Sequence, residues 1–281
     1  MGRALAIVAR LAVLALALAA AACNNDDQAP RTFIAGPRVL AIKAEPPEIA
    51  AGESTTVTIL VVGTQGQTAT VAWSSCRLAP LPGQGSNPDC VANPQAPYLE
   101  PIGEGTTITA TMPADITADE LGQPDASGGV YLTLVARVTV AGESFAAVYR
   151  LRFGTSGNQN PTLLGVSASD MGVTTTLDEA TPLPVTQGGR LTLNALLAAG
   201  AEQSYVAPVV GMSGGQVTET TRTSWFSSAG DFDDDRTEQG QRTTLSLDEL
   251  LPPVGSIIDI YAVAHEKRGG VDFLHRTLRL E

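Results

Sequence analysis

The stretch that decides the fold runs from residue 130 to residue 153 and reads VYLTLVARVTVAGESFAAVYRLRF. Apolar side chains occupy every second position on both sides of a short interruption, Ala141-Gly142-Glu143. Alternation with period two is typical of half-buried strands, and a glycine between two such runs indicates a tight turn. The stretch therefore predicts a long antiparallel hairpin, Val130–Val138 with Phe145–Phe153.

The same alternation continues outward from this hairpin in both directions. Toward the N-terminus, apolar side chains alternate around Val57–Val61, Ala69–Trp73 and Ile108–Met112. Toward the C-terminus, Ile258–Ala264 turns at Gly269-Gly270 into a further alternating run. Short strands separated by Gly and Pro are typical of a β-sandwich, so the sequence predicts an all-β protein.

The second half of the chain repeats the first. A turn rich in Pro that ends in Gly enters a strand in each half, and one of the two tryptophans, Trp73 or Trp225, follows it. Each half then has a hydroxyl residue three positions before Glu, the spacing of a capping box for one helical turn, at Thr117–Glu120 and at Ser246–Glu249. Repetition in one order indicates two copies of one domain.

We therefore predict two tandem β-sandwiches, residues 38–154 and 161–281, with the two tryptophans at equivalent core positions. Residues 155–160 lack bulky apolar side chains and have the composition of a linker. The opening Arg38–Pro47, followed by Ile49–Gly52, resembles that of bacterial immunoglobulin-like (Ig-like) domains in surface-anchored lipoproteins. The resemblance implies an Ig-like fold and an envelope location, and it leaves adhesins, spacers and assembly scaffolds open as functions.

The N-terminus has the layout of a secretory signal. Arg3 and Arg10 precede the apolar run Leu11–Ala22, which ends in small residues directly before Cys23. The Ala-Ala-Ala-Cys ending resembles the lipobox at which bacterial lipoproteins are acylated and cleaved. We predict removal of residues 1–22 as a signal peptide, a lipid on Cys23, and a flexible tether over residues 23–37.

Two alternatives remain open for this segment: a plain secretory signal and an uncleaved anchor. A bilayer span needs about 20 apolar residues, and the unbroken run Leu11–Ala22 is shorter than that. The lipoprotein interpretation places the chain in the bacterial cell envelope, anchored by lipid to the outer membrane or cell surface.

Cys76 and Cys90 remain once Cys23 is assigned to lipid. An even number of thiols in an exported protein favours a disulfide. The bridge would close a loop of about 15 residues and add roughly 3 kcal/mol to the free energy of unfolding. Zinc is the weaker alternative, because a structural zinc site needs four ligands.

Composition excludes one class of partner. After removal of the signal peptide the chain keeps 15 Lys and Arg against 29 Asp and Glu, a balance of −14. Nucleic acid binding needs clustered Lys and Arg, so we expect no nucleic acid partner. The apolar fraction of 43% is large enough for packed cores.

Catalytic chemistry has few candidates. The two histidines, His265 and His275, both lie in the last hairpin. An even loop at Gly269-Gly270 would place them on opposite faces of the ribbon, and only an odd, bulged loop would bring them to one face. We predict that neither is catalytic.

Two features of the second half could bind a ligand. Asp231, Asp233 and Asp235 alternate in a short acidic run and could contribute to a calcium site, although the spacing is not that of an EF-hand. A solvated acidic turn is the other interpretation. The long connection 198–222, which contains Tyr205, is either a binding loop or a disordered decoration.

The sequence thus predicts a non-enzymatic, lipid-anchored envelope or cell-surface protein with an adhesive, scaffolding or structural role. The alternative is an exported module that binds a glycan, a peptide or calcium through second-domain loops. No catalytic residue and no cofactor are predicted, with calcium left open. The predicted partners are the membrane, through the lipid, and a protein or glycan.

Overall fold

The computed structural model describes residues 31–81, 84–209 and 212–281, and in these ranges the chain is almost entirely β. Their single helix is the four-residue α1, Asp89–Ala92. The signal peptide and Cys23 lie outside the described residues. The strands are β1 Arg38–Glu45, β2 Glu48–Ile49, β3 Ser54–Val62, β4 Thr70–Cys76, β5 Leu99–Glu104, β6 Thr107–Thr111, β7 Val130–Val140, β8 Glu143–Phe153, β9 Leu163–Asp170, β10 Val173–Thr176, β11 Leu183–Val185, β12 Arg190–Leu197, β13 Ser204–Val209, β14 Met212–Thr218, β15 Arg222–Ser227, β16 Asp231–Phe232, β17 Arg236–Glu238, β18 Thr243–Ser246, β19 Ile257–His265 and β20 Val271–Leu280.

The first sandwich consists of two sheets with strand orders β1-β3-β6 and β2-β8-β7-β4-β5. The decisive hairpin forms as predicted, since β7 pairs with β8 in continuous register from Val130–Phe153 to Val140–Glu143. Its two-residue turn has Ala141 at φ 56° and Gly142 at φ 86°, the left-handed pair of a type I′ turn.

The second sandwich contains a counterpart of every strand in the first, and it adds β10 and β16 at the edges of one sheet and the β13–β14 hairpin. The order β9-β12-β18 corresponds to β1-β3-β6, and β11-β20-β19-β15-β17 corresponds to β2-β8-β7-β4-β5. In both halves the short strand before the glycine turn pairs in parallel with the last strand. In each half the first strand lies in one sheet, and the short strand before the glycine turn lies in the other. This division between two sheets is the arrangement of an Ig-like sandwich. The predicted all-β, Ig-like fold is confirmed.

The two tryptophans lie at equivalent positions in separate cores. Trp73 on β4 is 1% exposed and Trp225 on β15 is fully buried. Each indole nitrogen also has a partner: that of Trp73 donates to the carbonyl of Gly105, and that of Trp225 donates to the hydroxyl of Thr237, both at 2.9 Å. Leu, Ile and Val side chains from both sheets fill the space around each ring.

The predicted capping boxes form only in part. The Glu120 carboxylate accepts from the backbone of Thr117 at 2.8 Å, and the Thr117 hydroxyl accepts in return, but the segment makes a turn and no helix. Ser246 belongs to strand β18. The second capping box is therefore absent from the described hydrogen bonds, because Ser246, which would cap the turn, pairs with β12 instead.

The tether predicted for residues 23–37 has a structured end. Ile34 donates its backbone N–H to Ser227 at 2.8 Å, and Ser227 donates to the carbonyl of Thr32 at 3.0 Å. The Arg38 guanidinium lies 5.3 Å from the Phe226 ring and donates to the carbonyl of residue 31. The end of the tether thus joins the second sandwich, because the edge of β15 beyond β17 offers free backbone groups. No helix within the described residues has the length and hydropathy to cross a membrane.

Candidate functional site

The richest concentration of charged and polar side chains lies where the two sandwiches meet. We call this region the junction: residues 154–161, the loop 266–270 between β19 and β20, and the side chains that contact them. The strands of the first sandwich end at residue 153 and those of the second begin at residue 163. A connection this short brings the last hairpin of the second sandwich against β1 and β8 of the first.

Glu48 on β2 anchors the start of the connection. Its two carboxylate oxygens accept from the backbone N–H and the hydroxyl of Ser156, each at 2.5 Å. Arg152 lies 3.4 Å from the same carboxylate, and both side chains are almost completely buried. The guanidinium also donates to Ser127 and Tyr131. Residues 155–160, predicted as a linker, are therefore tied to the first sandwich at this point.

Two asparagines tie the connection to the second sandwich. Asn158 is 3% exposed, and its amide donates to the Glu266 carboxylate at 3.1 Å. The amide of Asn160 donates to the Ala44 carbonyl at 2.7 Å and accepts from the Val271 backbone at 2.8 Å. One side chain thus bonds the first strand of one sandwich to the last strand of the other.

Arg268 lies at the centre of the junction and is 2% exposed. Its guanidinium donates to Glu219 at 2.5 Å, to Gln203 at 2.7 Å and to Ser156 at 3.3 Å. It also lies 4.6 Å from the centroid of the Tyr205 ring. Since Glu219 and Gln203 flank the β13–β14 hairpin, Arg268 joins three parts of the chain.

Two buried carboxyl groups share this region. Glu266 accepts from the backbone N–H groups of Arg268 and Gly270, at 2.7 and 2.5 Å. Burial and the facing carboxyl of Glu219 raise the pKa of Glu266 to about 7. Burial alone would also raise the pKa of Glu219, but hydrogen bonds from Glu266 and Arg268 lower it instead. One Glu219 oxygen has no other partner, so the pair is satisfied when Glu266 carries a proton.

At the solvent-facing margin of the junction, Lys43 on β1 bonds to Asp272 on β20 at 2.9 Å. The other oxygen of Asp272 accepts from the backbone of Leu163 at 2.8 Å. Within the described residues, the charged groups of the junction thus bond to each other and to the backbone. Such an arrangement can fix the relative position of two domains, because each group is satisfied in only one geometry.

The predicted disulfide is confirmed. Cys76 and Cys90 are bonded, with Cα atoms 5.9 Å apart, and both are buried. The bridge connects the end of β4 to α1 and closes the loop Arg77–Asp89.

One carboxylate of the acidic run pairs with strand β18. Asp233 accepts from Thr243 at 2.9 Å and from the Thr244 backbone at 2.6 Å, so its carboxylate caps the neighbouring chain. Asp231 is in β16, and Asp231, Asp233 and Asp235 are each exposed. In residues 31–81, 84–209 and 212–281, no three His, Cys, Asp or Glu side chains are grouped as metal ligands.

The expectation of an even loop in the last hairpin was wrong. His265 pairs with Val271, so the loop has five residues, 266–270. His265 and His275 therefore share one face, but they are four residue steps apart, about 13 Å. His265 contacts the Ser224 hydroxyl at 3.0 Å, and His275 contacts Asp259 at 2.7 Å. The structure does not bring the histidines together.

Within the connection 198–222, the described strands β13 and β14 pair with each other. Its Tyr205 ring faces Arg268, and Glu219 follows its second strand. None of the junction residues was predicted from the sequence as a functional residue. The available signal was the presence of Asn158 and Asn160, two amide side chains in a segment otherwise typical of a linker.

Comparisons with known proteins yield no family. No family model and no curated protein matches the sequence. Among solved structures, a chimeric titin Z1Z2 tandem is 12% identical, with a TM-score of 0.28 over 87% of this chain and 99% of that one. Three N-terminal domains of the outer capsid protein Hoc of bacteriophage RB49 are 12% identical, with a TM-score of 0.24 over 88% and 70%.

The N-terminal eight Ig domains of the Down syndrome cell adhesion molecule are 10% identical, with a TM-score of 0.21 over 88% of this chain and 25% of that one. Scores this low carry no argument about function. The Ig-like assignment rests on the strand order described above.

Proposed function

We propose that this chain is a lipid-anchored, non-enzymatic protein of the bacterial cell envelope that acts as a scaffold or structural element. The observation that carries the proposal is the junction, in which Arg268, Asn158 and Asn160 tie two filled sandwiches together. Buried ion pairs add little net stability compared with apolar packing, but they favour one geometry over others. A fixed geometry is what a scaffold requires.

The location follows from the N-terminal sequence. Acylation of Cys23 would hold the protein on the outer membrane or the cell surface, with the membrane as its first partner. A second protein or a glycan is the partner class that such a scaffold would serve. The acidic composition speaks against nucleic acid, and the proposed role needs no cofactor.

The anchor is tested by the fate of Cys23. In a bacterial host, the wild-type protein should fractionate with membranes and require detergent for release. The N-terminal peptide should begin at Cys23 and carry diacylglycerol by mass spectrometry. A Cys23→Ser variant should be released in soluble form. An unmodified wild-type peptide that still contains residue 22 would refute the anchor.

The fixed geometry is tested by spin-label distances between the sandwiches. Labels at Glu104→Cys and Asp248→Cys, both exposed positions, should give one narrow distance distribution in a Cys23→Ser background. Adding Arg268→Ala should broaden it, because Glu219, Gln203 and Ser156 then lose a shared partner. Arg222→Ala, which removes an exposed ion pair, is the matched control. A broad distribution before any junction substitution would contradict the scaffold.

The alternative function, binding through second-domain loops, gains no specific observation. The Tyr205 ring packs on Arg268, and Asp233 bonds to Thr243 and Thr244. Both candidates for ligand contact are engaged within the chain itself. We therefore propose the scaffold role alone.

A further inference from the structure

The first sandwich carries a cleft of about 530 Å³ beside the disulfide-closed loop. This volume falls within the range of small-molecule sites, roughly 300–1,000 Å³. One wall is formed by Pro80, Leu81, Gln84 and Gly85, and the other by lining residues between Leu121 and Asp125, before β7. The lining residues used below are Pro80, Leu81, Leu121, Gln123, Pro124 and Arg150.

The walls of the cleft are held in place before any ligand arrives. The disulfide between Cys76 and Cys90 closes one loop, and the Asn87 amide bonds across that loop to the Ala79 carbonyl at 3.1 Å. Gly122, with φ 93°, packs so closely on this loop that an added Cβ would lie 3.2 Å from the Ala79 side chain. The cleft is thus preformed, which lowers the entropic cost of binding.

Arg150 forms the floor of the cleft. Its neighbours hold it in place, but its guanidinium still has N–H groups without hydrogen-bond partners in the described part of the chain. Its guanidinium carbon lies 3.8 Å from the centroid of the Tyr131 ring, and its nearest carboxylate oxygen, on Asp125, is 3.6 Å away. Its Nε is buried with no partner in the described residues. The Nε of the neighbouring Arg152 also lacks a partner, but its other nitrogens donate three hydrogen bonds to Ser127 and Tyr131, whereas none of the described hydrogen bonds comes from Arg150. Arg150 therefore keeps donor capacity for a ligand.

Asp125 orients Arg150 but has little capacity left to accept from it. Its oxygens accept from the Ser127 backbone at 2.8 Å, the Ser127 hydroxyl at 2.7 Å, the Gly129 backbone at 3.1 Å and the Tyr131 hydroxyl at 2.7 Å. Burial acts to raise the pKa of Asp125, but these hydrogen bonds outweigh it and lower the pKa. The carboxylate stays ionised and holds the arginine in place.

We propose that this cleft binds a free carboxylate carried by an apolar residue, of which the C-terminal residue of a peptide is the class that fits. A planar guanidinium stacked on an aromatic ring presents paired donors that match a carboxylate. The side chains of Pro80, Leu81, Leu121 and Pro124 form apolar walls, and the amide of Gln123 can pair with a peptide group. The site is separate from the junction, so the proposal does not depend on the scaffold role.

The test is calorimetric titration of the full chain in detergent with N-acetyl-Ala-Leu. The free acid should bind at least about tenfold more tightly than the same peptide as its C-terminal amide, because only the acid can accept two charged donors. Arg150→Gln should remove this preference. Arg77→Gln, which breaks an exposed ion pair with Asp115 on the same sandwich, should leave both affinities unchanged.

A second variant covers the case in which Arg150→Gln fails to fold. Leu81 is 41% exposed, so Leu81→Asp should preserve the fold while placing a negative charge beside the arginine. It should weaken binding of the free acid by about tenfold or more. Equal binding of acid and amide, an unaffected Arg150→Gln variant, or no heat up to about 10 mM peptide would each overturn the proposal. Tighter binding of octanoate than of the peptide would overturn the peptide class.

Discussion

Glu219→Gln should remove the pH dependence of stability that the buried carboxyl pair creates. The pKa of Glu266 is about 7 in the folded protein, against an ordinary value of 4.5. That difference corresponds to about 3 kcal/mol of free energy of unfolding. Because the folded-state pKa is raised, the contribution is fully present below pH 4.5 and is lost as the pH rises to 7.

The substitution places an amide where the unpartnered oxygen of Glu219 lies. The amide can donate to an ionised Glu266, so that carboxyl no longer needs a proton. The bond from Arg268 to Glu219 becomes a bond to a neutral acceptor, which costs about 1 kcal/mol. We therefore expect the variant to be less stable than wild type by about 1 kcal/mol at pH 4 and more stable by about 2 kcal/mol at pH 8.

The assay is urea denaturation followed by tryptophan fluorescence, with wild type and variant in the same buffers from pH 4 to 8. Taking their difference removes the contribution of other titrating groups. Glu238→Gln, in an exposed pair with Arg222, is the control and should shift stability by less than about 0.5 kcal/mol at every pH. Parallel profiles for wild type and Glu219→Gln would show that the carboxyl pair does not share a proton.

Three further predictions concern the two tryptophans, the disulfide and His265. Trp73→Ala and Trp225→Ala should each lower the free energy of unfolding by about 3–5 kcal/mol, measured by denaturation; a loss under 1 kcal/mol would contradict their burial. Replacing Cys76 and Cys90 together by Ala should cost about 3 kcal/mol, and an unchanged urea midpoint would show that the loop contributes nothing. Burial and nearby arginines lower the pKa of His265, so stability should fall as the pH drops below about 6.5; His265→Gln should remove that loss, and titration that persists in the variant would assign it elsewhere.

The strands could be predicted because their determinants are local. Alternation over Val130–Val140 and Glu143–Phe153 specifies which face is buried, and the glycine at position 142 specifies the turn. Trp73 and Trp225 were placed correctly because a large aromatic in a chain poor in them is most stable between two sheets. Both signals are contained within a few residues.

The junction could not be predicted because its geometry depends on packing between distant segments. Arg268 and Glu219 are 49 positions apart, and the sequence around one residue gives no indication that it contacts the other. The face shared by His265 and His275 was missed for a related reason. Loop length depends on where the ladder ends, and the hydrogen bonds of Glu266 to the loop backbone end it before Gly269-Gly270.

The pairing of residues 32–34 with Ser227 has a mechanical consequence if Cys23 carries the proposed lipid anchor. Tension applied from the N-terminal side would first load two backbone hydrogen bonds on β15 of the second sandwich, and not β1 of the first. If those two bonds break, the six residues 32–37 can span up to about 20 Å before β1 bears force. The second sandwich would thus bear force before the first, although it comes later in the sequence. The released residues would lengthen the chain before either core is under tension.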